Sequence, residues 1–157
     1  MGIKTKLGLA GIIVAASSFI VTNEGTKSKA YQDSVGIWTI CTGSTENVKP
    51  GQIATLGECN ARLKKDIEQN CKDLDKISAP KNVLIAHCDL AFNIGRTKYR
   101  RSTAYKKLKS GDIKGSCKSI LMWKYAGGLN CFDQKNANIC GGIKKRRITE
   151  YNLCISE

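Results

Sequence analysis

Asn23-Glu24-Gly25-Thr26-Lys27-Ser28-Lys29-Ala30-Tyr31-Gln32-Asp33-Ser34-Val35-Gly36-Ile37-Trp38-Thr39-Ile40-Cys41-Thr42-Gly43-Ser44-Thr45 is the stretch whose reading decides the fold. Val35 to Thr45 is rich in β-branched residues and broken by Gly36 and Gly43, the composition of strand and turn. Lys49-Pro50-Gly51 closes the region with a second turn signal. Glu24 and Asp33 flank a predicted turn, and Thr39 begins the strand. Cleaving an acetal such as a glycosidic bond takes two carboxyl groups, one protonating the leaving oxygen and one deprotonating or aligning a water. Glu24, close behind an apolar segment, is the candidate proton donor. Asp33, beside Tyr31, Gln32 and Ser34, is the candidate water-holding carboxylate, with the Thr39 hydroxyl to assist. By spacing alone, two acids nine positions apart read equally as solvated surface residues.

Upstream, Lys4 and Lys6 precede Leu7–Thr22, a run without charge. Its layout is that of a secretory signal, with Val14-Ala15-Ala16 as a candidate cleavage site. As a helix, 16 residues reach only ~24 Å, against the ~30 Å hydrocarbon core of a bilayer. A segment that enters a membrane without staying in it, and a buried N-terminal helix, are the other two readings.

Downstream, helices dominate. Thr55-Leu56-Gly57-Glu58 has the capping-box pattern, and Cys59, Leu63, Ile67, Cys71 and Leu74 follow as one apolar stripe. Ser78-Ala79-Pro80 starts a second helix, apolar from Val83 to Ile94 and stopped by Gly95. Further helices are expected over 103–109, 113–125 (closed by Gly127-Gly128) and 143–155, the last with Arg146 and Glu150 spaced for an i,i+4 contact. The fold class is α+β, mostly α: a small β subdomain, a helical lobe and an N-terminal hydrophobic helix. Residues 1–22 form the N-terminal segment and 23–157 the main domain.

The 157 residues include 26 Lys and Arg against 13 Asp and Glu, a formal charge of +13, which draws the chain to polyanions without choosing among them. With 41% hydrophobic residues, disorder over most of the chain and a polytopic membrane protein are both excluded. Eight cysteines and one histidine, without a Cys-x-x-Cys spacing, fit disulfides better than zinc and imply an oxidising compartment. Their pairing stays open among 105 possibilities. No metal or cofactor is expected. His87 and Cys88 are adjacent on a helix and do not face each other, so they are read as structural rather than as a nucleophile pair. Lys144-Lys145-Arg146-Arg147 is read as a solvated helix face rather than a nucleic-acid site, and Trp38 and Trp123 as core.

Glu24-Gly25, Ala30-Tyr31-x-Asp33, Gly36, Trp38-Thr39 and Gly43 resemble the active-site signature of phage-type lysozymes, the endolysins of glycoside hydrolase family 24: Glu, eight residues, Asp, five residues, Thr. The resemblance continues in order through Ala91-Phe92-Asn93-Ile94-Gly95, Ser102-Thr103, Leu108, Gly111-Asp112, Trp123-x-Tyr125-Ala126-Gly127-Gly128 and Arg146-Arg147-x-x-Glu150 with Leu153-Cys154, so it covers residues 23–157. It implies a lysozyme-like fold and a monomeric muramidase that hydrolyses the β-1,4 bond between N-acetylmuramic acid and N-acetylglucosamine in bacterial peptidoglycan, for host cell lysis. Glu24 would be the general acid, Asp33 would orient or deprotonate water, Thr39 would help position it, and Asn93 would contact the sugar chain. Inversion at the anomeric carbon would follow, with carboxyl groups roughly 6.5–9.5 Å apart. Retention of Asp33 and Thr39 favours hydrolysis over lytic transglycosylation, which uses no water.

The N-terminus resembles that of the signal-arrest-release endolysins. The chain would be exported by the host secretion pathway, tethered inactive to the inner membrane through residues 7–22, and then released to the periplasm, with membrane depolarisation as the trigger. Glu24 lies two residues past Thr22, so an embedded helix would hold the acid against the lipid. A cleaved signal is the competing expectation. The family's Thr-x-Gly-x-Gly-His stretch is here Thr39-Ile40-Cys41-Thr42-Gly43-Ser44, which removes a local contact of the histidine. No cysteine precedes Cys41, so caging through a first-helix cysteine does not apply. Leu129–Cys140 is longer than the family's connection, and Cys131 with Cys140 is expected to staple it. The alternative function is a non-enzymatic cationic protein that disrupts anionic membranes through its basic surface and N-terminal helix.

Overall fold

The computed structural model describes residues 8–156. The basic pair Lys4 and Lys6 lies outside them. Helix α1 (Leu9–Glu24) is the hydrophobic segment, and one face of it is buried against the helical lobe. Ile12, Ile13, Ala16 and Ile20 are 7% exposed or less and pack against α2 (Leu56–Cys71) and α3 (Lys81–Ile94). Their spacing of roughly four residues puts them on one side of the helix, where each isoleucine contributes ~1.5–3 kcal/mol by leaving water. The free N–H of Leu9 donates to Asp75 Oδ1 at 2.6 Å, closing the helix start. Val14 and Val21 face outward. Among the described residues no helix is long and apolar enough to cross a membrane. α1 runs through the expected boundary between residues 22 and 23.

Gly25, with φ +70°, ends α1 and turns the chain into β1 (Lys27–Gln32), which pairs antiparallel with β2 (Trp38–Cys41). Tyr31 stands opposite Thr39 and Gln32 opposite Trp38. On the other edge of β1, Ala30 and Ser28 exchange backbone hydrogen bonds with Gln52 and Ala54. The predicted capping box starts α2, with Thr55 accepting from the Glu58 N–H and Glu58 from the Thr55 N–H. A 3₁₀ turn at Lys72–Leu74 leads to α3, the central helix, buried without interruption from Val83 to Ala91. Then come α4 (Arg96–Arg101), which the sequence reading does not anticipate, α5 (Thr103–Lys109) and α6 (Ile113–Ile120). β3 (Tyr125–Ala126), β4 (Leu129–Asn130) and α7 (Ala137–Ile155) complete the order.

The helix expected over 113–125 therefore stops at Ile120. Gly127 and Gly128 both take positive φ, 55° and 80°, so they form a two-residue hairpin loop that recruits Tyr125 and Ala126 into β3. α7 begins at Ala137 instead of residue 143, with a kink at Cys140 (φ −141°) where the disulfide to Cys131 attaches. That bridge is the expected staple. The open pairing resolves as Cys41–Cys59, Cys71–Cys88 and Cys117–Cys154 for the other cysteines. The solvated-face reading of 144–147 fits Lys144 and Lys145 but fails for Arg146 and Arg147, which are 8% and 1% exposed because buried carboxylates hold them.

Candidate active site

Because Glu24 is the last residue of α1, docking of that helix fixes where the carboxyl sits. Its side chain is 25% exposed, and Oε1 accepts a hydrogen bond from Arg146 Nη1 at 2.6 Å. Arg146 is in turn gripped by Asp89, whose two oxygens accept from Nε and Nη2 at 3.0 Å each. Asn23 Nδ2 also donates to Asp89, at 3.3 Å. Burial opposes the charge on Arg146, but Asp89 and Glu24 outweigh it and raise its pKa.

One residue on, Arg147 reaches Trp123 O at 3.0 Å, a carboxyl oxygen of Glu150, and Asn93 Oδ1. Glu150 is fully buried and meets the predicted i,i+4 partner, with Oε1 3.6 Å from Arg146 Nε. Burial, reinforced by the nearby Asp89, pushes its carboxyl well above the usual carboxylate range. Glu24, Asp89 and Glu150 all lie against Arg146 or Arg147, and this mutual pairing is how so polar a cluster stays inside the lobe.

Glu24, Gly43, Asp66, Asn70, Phe92 and Asn93 line one side of a cleft of ≈ 370 Å³ between the hairpin and the helical lobe. Hollows of ≈ 680 and ≈ 610 Å³ lie elsewhere on the helical lobe, but no carboxylate side chain lines them. A neighbouring hollow of ≈ 330 Å³ also has carboxylates, Glu46, Glu58 and Asp66, so it is Glu24 that selects the cleft of ≈ 370 Å³. Two predicted site residues, Glu24 and Asn93, meet there, and Arg147 fixes the Asn93 carbonyl oxygen so that its amide nitrogen faces outward from that bond. Asp33 and Thr39 do not line this cleft; they sit on the hairpin beside it. Asp33 forms the hairpin turn, with Oδ1 accepting from the Val35 and Ile37 N–H groups at 2.9 Å each. Thr39 is 4% exposed and is the second residue of β2, not its start; its hydroxyl donates to Ile37 O at 3.0 Å. Tyr31 links the two acids: burial first, then the charges of Glu24 and Asp33, raise its phenol pKa.

Ser44 occupies the position of the family's histidine. Arg62 Nη1 lies 3.3 Å from its Oγ, and Ser44 also bonds to Asp66, whose carboxyl is nonetheless pushed up by burial. His87 is a core residue: Nδ1 lies 2.8 Å from the Tyr99 hydroxyl and Nε2 3.2 Å from Ser116 Oγ, while Cys88 is bridged to Cys71. Burial lowers the His87 pKa to about 3, so it is neutral at physiological pH. Asp89 and the charge-holding role of Arg146 escape the sequence reading. The available signal was a single aspartate inside the apolar run Val83–Ala91, since a charge at such a position is rarely buried without a partner.

The fold agrees with comparisons across known proteins. Residues 21–150 match the family model described as phage lysozyme. The chain is similar to the SAR-endolysin of Bacteriophage PS119, 31% identical over 94% of this chain and 89% of that protein. In structure it is similar to a P22 lysozyme mutant, with a TM-score of 0.70, 29% identity, and 90% of this chain and 95% of that one covered. The active form of the P1 phage endolysin Lyz shares the fold, with a TM-score of 0.77 at 22% identity over 99% of this chain and 96% of that one. The chain belongs to the phage lysozyme family.

Proposed function

We propose that the protein is a phage endolysin, a muramidase that hydrolyses the β-1,4 bond between N-acetylmuramic acid and N-acetylglucosamine in peptidoglycan and so lyses the host. The observation that carries this reading is Glu24: a carboxyl at the mouth of a cleft shared with Asn93, held by a guanidinium from a buried charge cluster. Glu24 is the general acid that protonates the glycosidic oxygen. Both backbone bonds to Asp33 fall on Oδ1, which leaves Oδ2 to orient or deprotonate the attacking water. Thr39 commits its proton to Ile37 O, so its oxygen is an acceptor for that water. Asn93 contacts the sugar chain. Attack by water opposite the leaving group inverts the anomeric carbon. Glu24→Gln removes the transferable proton at constant shape. Lysis lost with folding unchanged supports the enzyme; unchanged lysis favours the cationic membrane-disrupting alternative.

The N-terminal segment serves as a reversible membrane tether, and the enzyme works in the periplasm. Two features of α1 support this. The Ser17 and Thr22 hydroxyls bond to the helix's own carbonyls, Ile13 O at 2.6 Å and Ser18 O at 2.9 Å, so the helix enters an apolar medium with those groups satisfied. Second, cleavage near Val14-Ala15-Ala16 would remove Ile12 and Ile13 from the core, which speaks against a cleaved signal. While α1 lies in lipid it cannot also set the position of Glu24, and the enzyme is inactive. Full-length chain that sediments with membranes, then appears uncut in the soluble fraction after depolarisation, is the expected result; a shortened soluble form from the start would contradict it.

A further inference from the structure

The turn that follows Thr39 contains a strained residue. Cys41 has φ +60°, a left-handed conformation that side-chain-bearing residues seldom adopt, and it stands where the family pattern has glycine. It lies inside a tight loop: Ile40 and Ser44 exchange backbone hydrogen bonds at 2.9 and 3.0 Å, and the three residues between them make the reversal. That reversal touches the catalytic machinery on two sides. Gly43 comes within about 4.0 Å of Glu24 Oε2, measured from where its Cβ would stand. The Thr42 hydroxyl lies 3.1 Å from that of Thr26, just past the end of α1. A strained backbone next to reacting groups persists only where surrounding structure enforces it. Cys41, 2% exposed, is bridged to Cys59 in the first turn of α2.

We infer that the Cys41–Cys59 disulfide is a positioning element of the active site: it holds residue 41 left-handed, and through that turn it sets Gly43 against Glu24 and Thr42 against Thr26, two residues past Glu24. The inference rests on the muramidase reading above. A cross-link here holds a backbone conformation that glycine would adopt without enforcement. The turn is therefore completed only after oxidation, in the compartment where the bridge forms.

Two double variants of the full-length oxidised protein test it, assayed on soluble, uncross-linked peptidoglycan strands. Cys41→Ala/Cys59→Ala removes the bridge and leaves a side chain that resists positive φ. Cys41→Gly/Cys59→Ala removes the same bridge but needs no enforcement. The expected result is a fall in kcat of about tenfold for the alanine pair, with KM within about twofold, and recovery of most of the loss by the glycine pair. Both variants lose the cross-link, so both melt at lower temperature. If kcat matches wild type in both, the bridge is only a stabiliser and the inference is overturned. If kcat falls equally in both, the bridge acts otherwise than through the left-handed turn, and it is overturned again. A wild-type protein that folds but releases no new reducing ends overturns the muramidase reading itself, and this inference with it.

Discussion

The helical lobe and the hairpin, the two banks that flank the cleft, are built on opposite principles. On the helical bank, Asp89, Arg146, Arg147 and Glu150 are almost wholly buried and satisfy one another through side chains. On the hairpin bank, Asp33 is partly exposed and is held by backbone N–H groups of a turn, with few core residues beneath it. The helical bank fixes a carboxyl by charge. The hairpin bank fixes one by chain geometry. The difference suits their proposed roles: the acid must be aimed at the glycosidic oxygen, and the water-holding group must stay wet.

The contrast breaks most sharply at Glu24. Glu24→Gln is expected to cut activity about 10²–10⁴-fold with little change in melting temperature. Next comes the buried cluster. Asp89→Ala strips a buried guanidinium of its partner and should cost about 3–5 kcal/mol of stability in denaturant titration. Removal of the hairpin carboxyl, by Asp33→Asn, should instead leave stability within about 1 kcal/mol while activity falls. Glu150→Gln sharpens the point from the other side. A neutral isostere replaces a carboxyl that burial pushes towards its neutral form, so stability at pH 7 should change by less than about 1 kcal/mol. A large loss there would mean that the cluster carries Glu150 as an anion.

A pH series separates the helical lobe from the rest. His87 has a folded pKa of about 3 against 6.5 for the unfolded chain. Below pH 6.5 the unfolded chain takes up a proton that the folded protein refuses. Its share of stability is therefore intact above that pH and lost at about 1.4 kcal/mol per unit as pH falls from 6.5 towards 3. His87 is the chain's one histidine, so its ring resonances are unambiguous. They should not titrate between pH 7 and 5.

Legibility in the sequence followed the range of the interactions. The α2 capping box, the Gly95 stop and the Arg146–Glu150 spacing are local patterns, and each is found as read. β3 was missed because a glycine pair that looks like a helix stop also makes a hairpin turn. The burial of Arg146 is not legible because its carboxylate partner Asp89 lies 57 residues away, and a basic run on its own reads as solvated. Glu24, Asp33 and Thr39 are candidates through the family signature, because spacing alone does not distinguish the two carboxyl groups from surface acids. The choice among three fates for residues 7–22 was beyond the sequence, since one apolar run suits a signal, a tether and a core helix alike.

The most direct test of the central claim is mass spectrometry of purified peptidoglycan after digestion with the oxidised full-length protein. The account predicts new reducing ends on N-acetylmuramic acid, absent with Glu24→Gln. Anhydro-muramic ends would contradict the water-holding roles of Asp33 and Thr39, and no cleavage by folded protein would contradict the muramidase assignment.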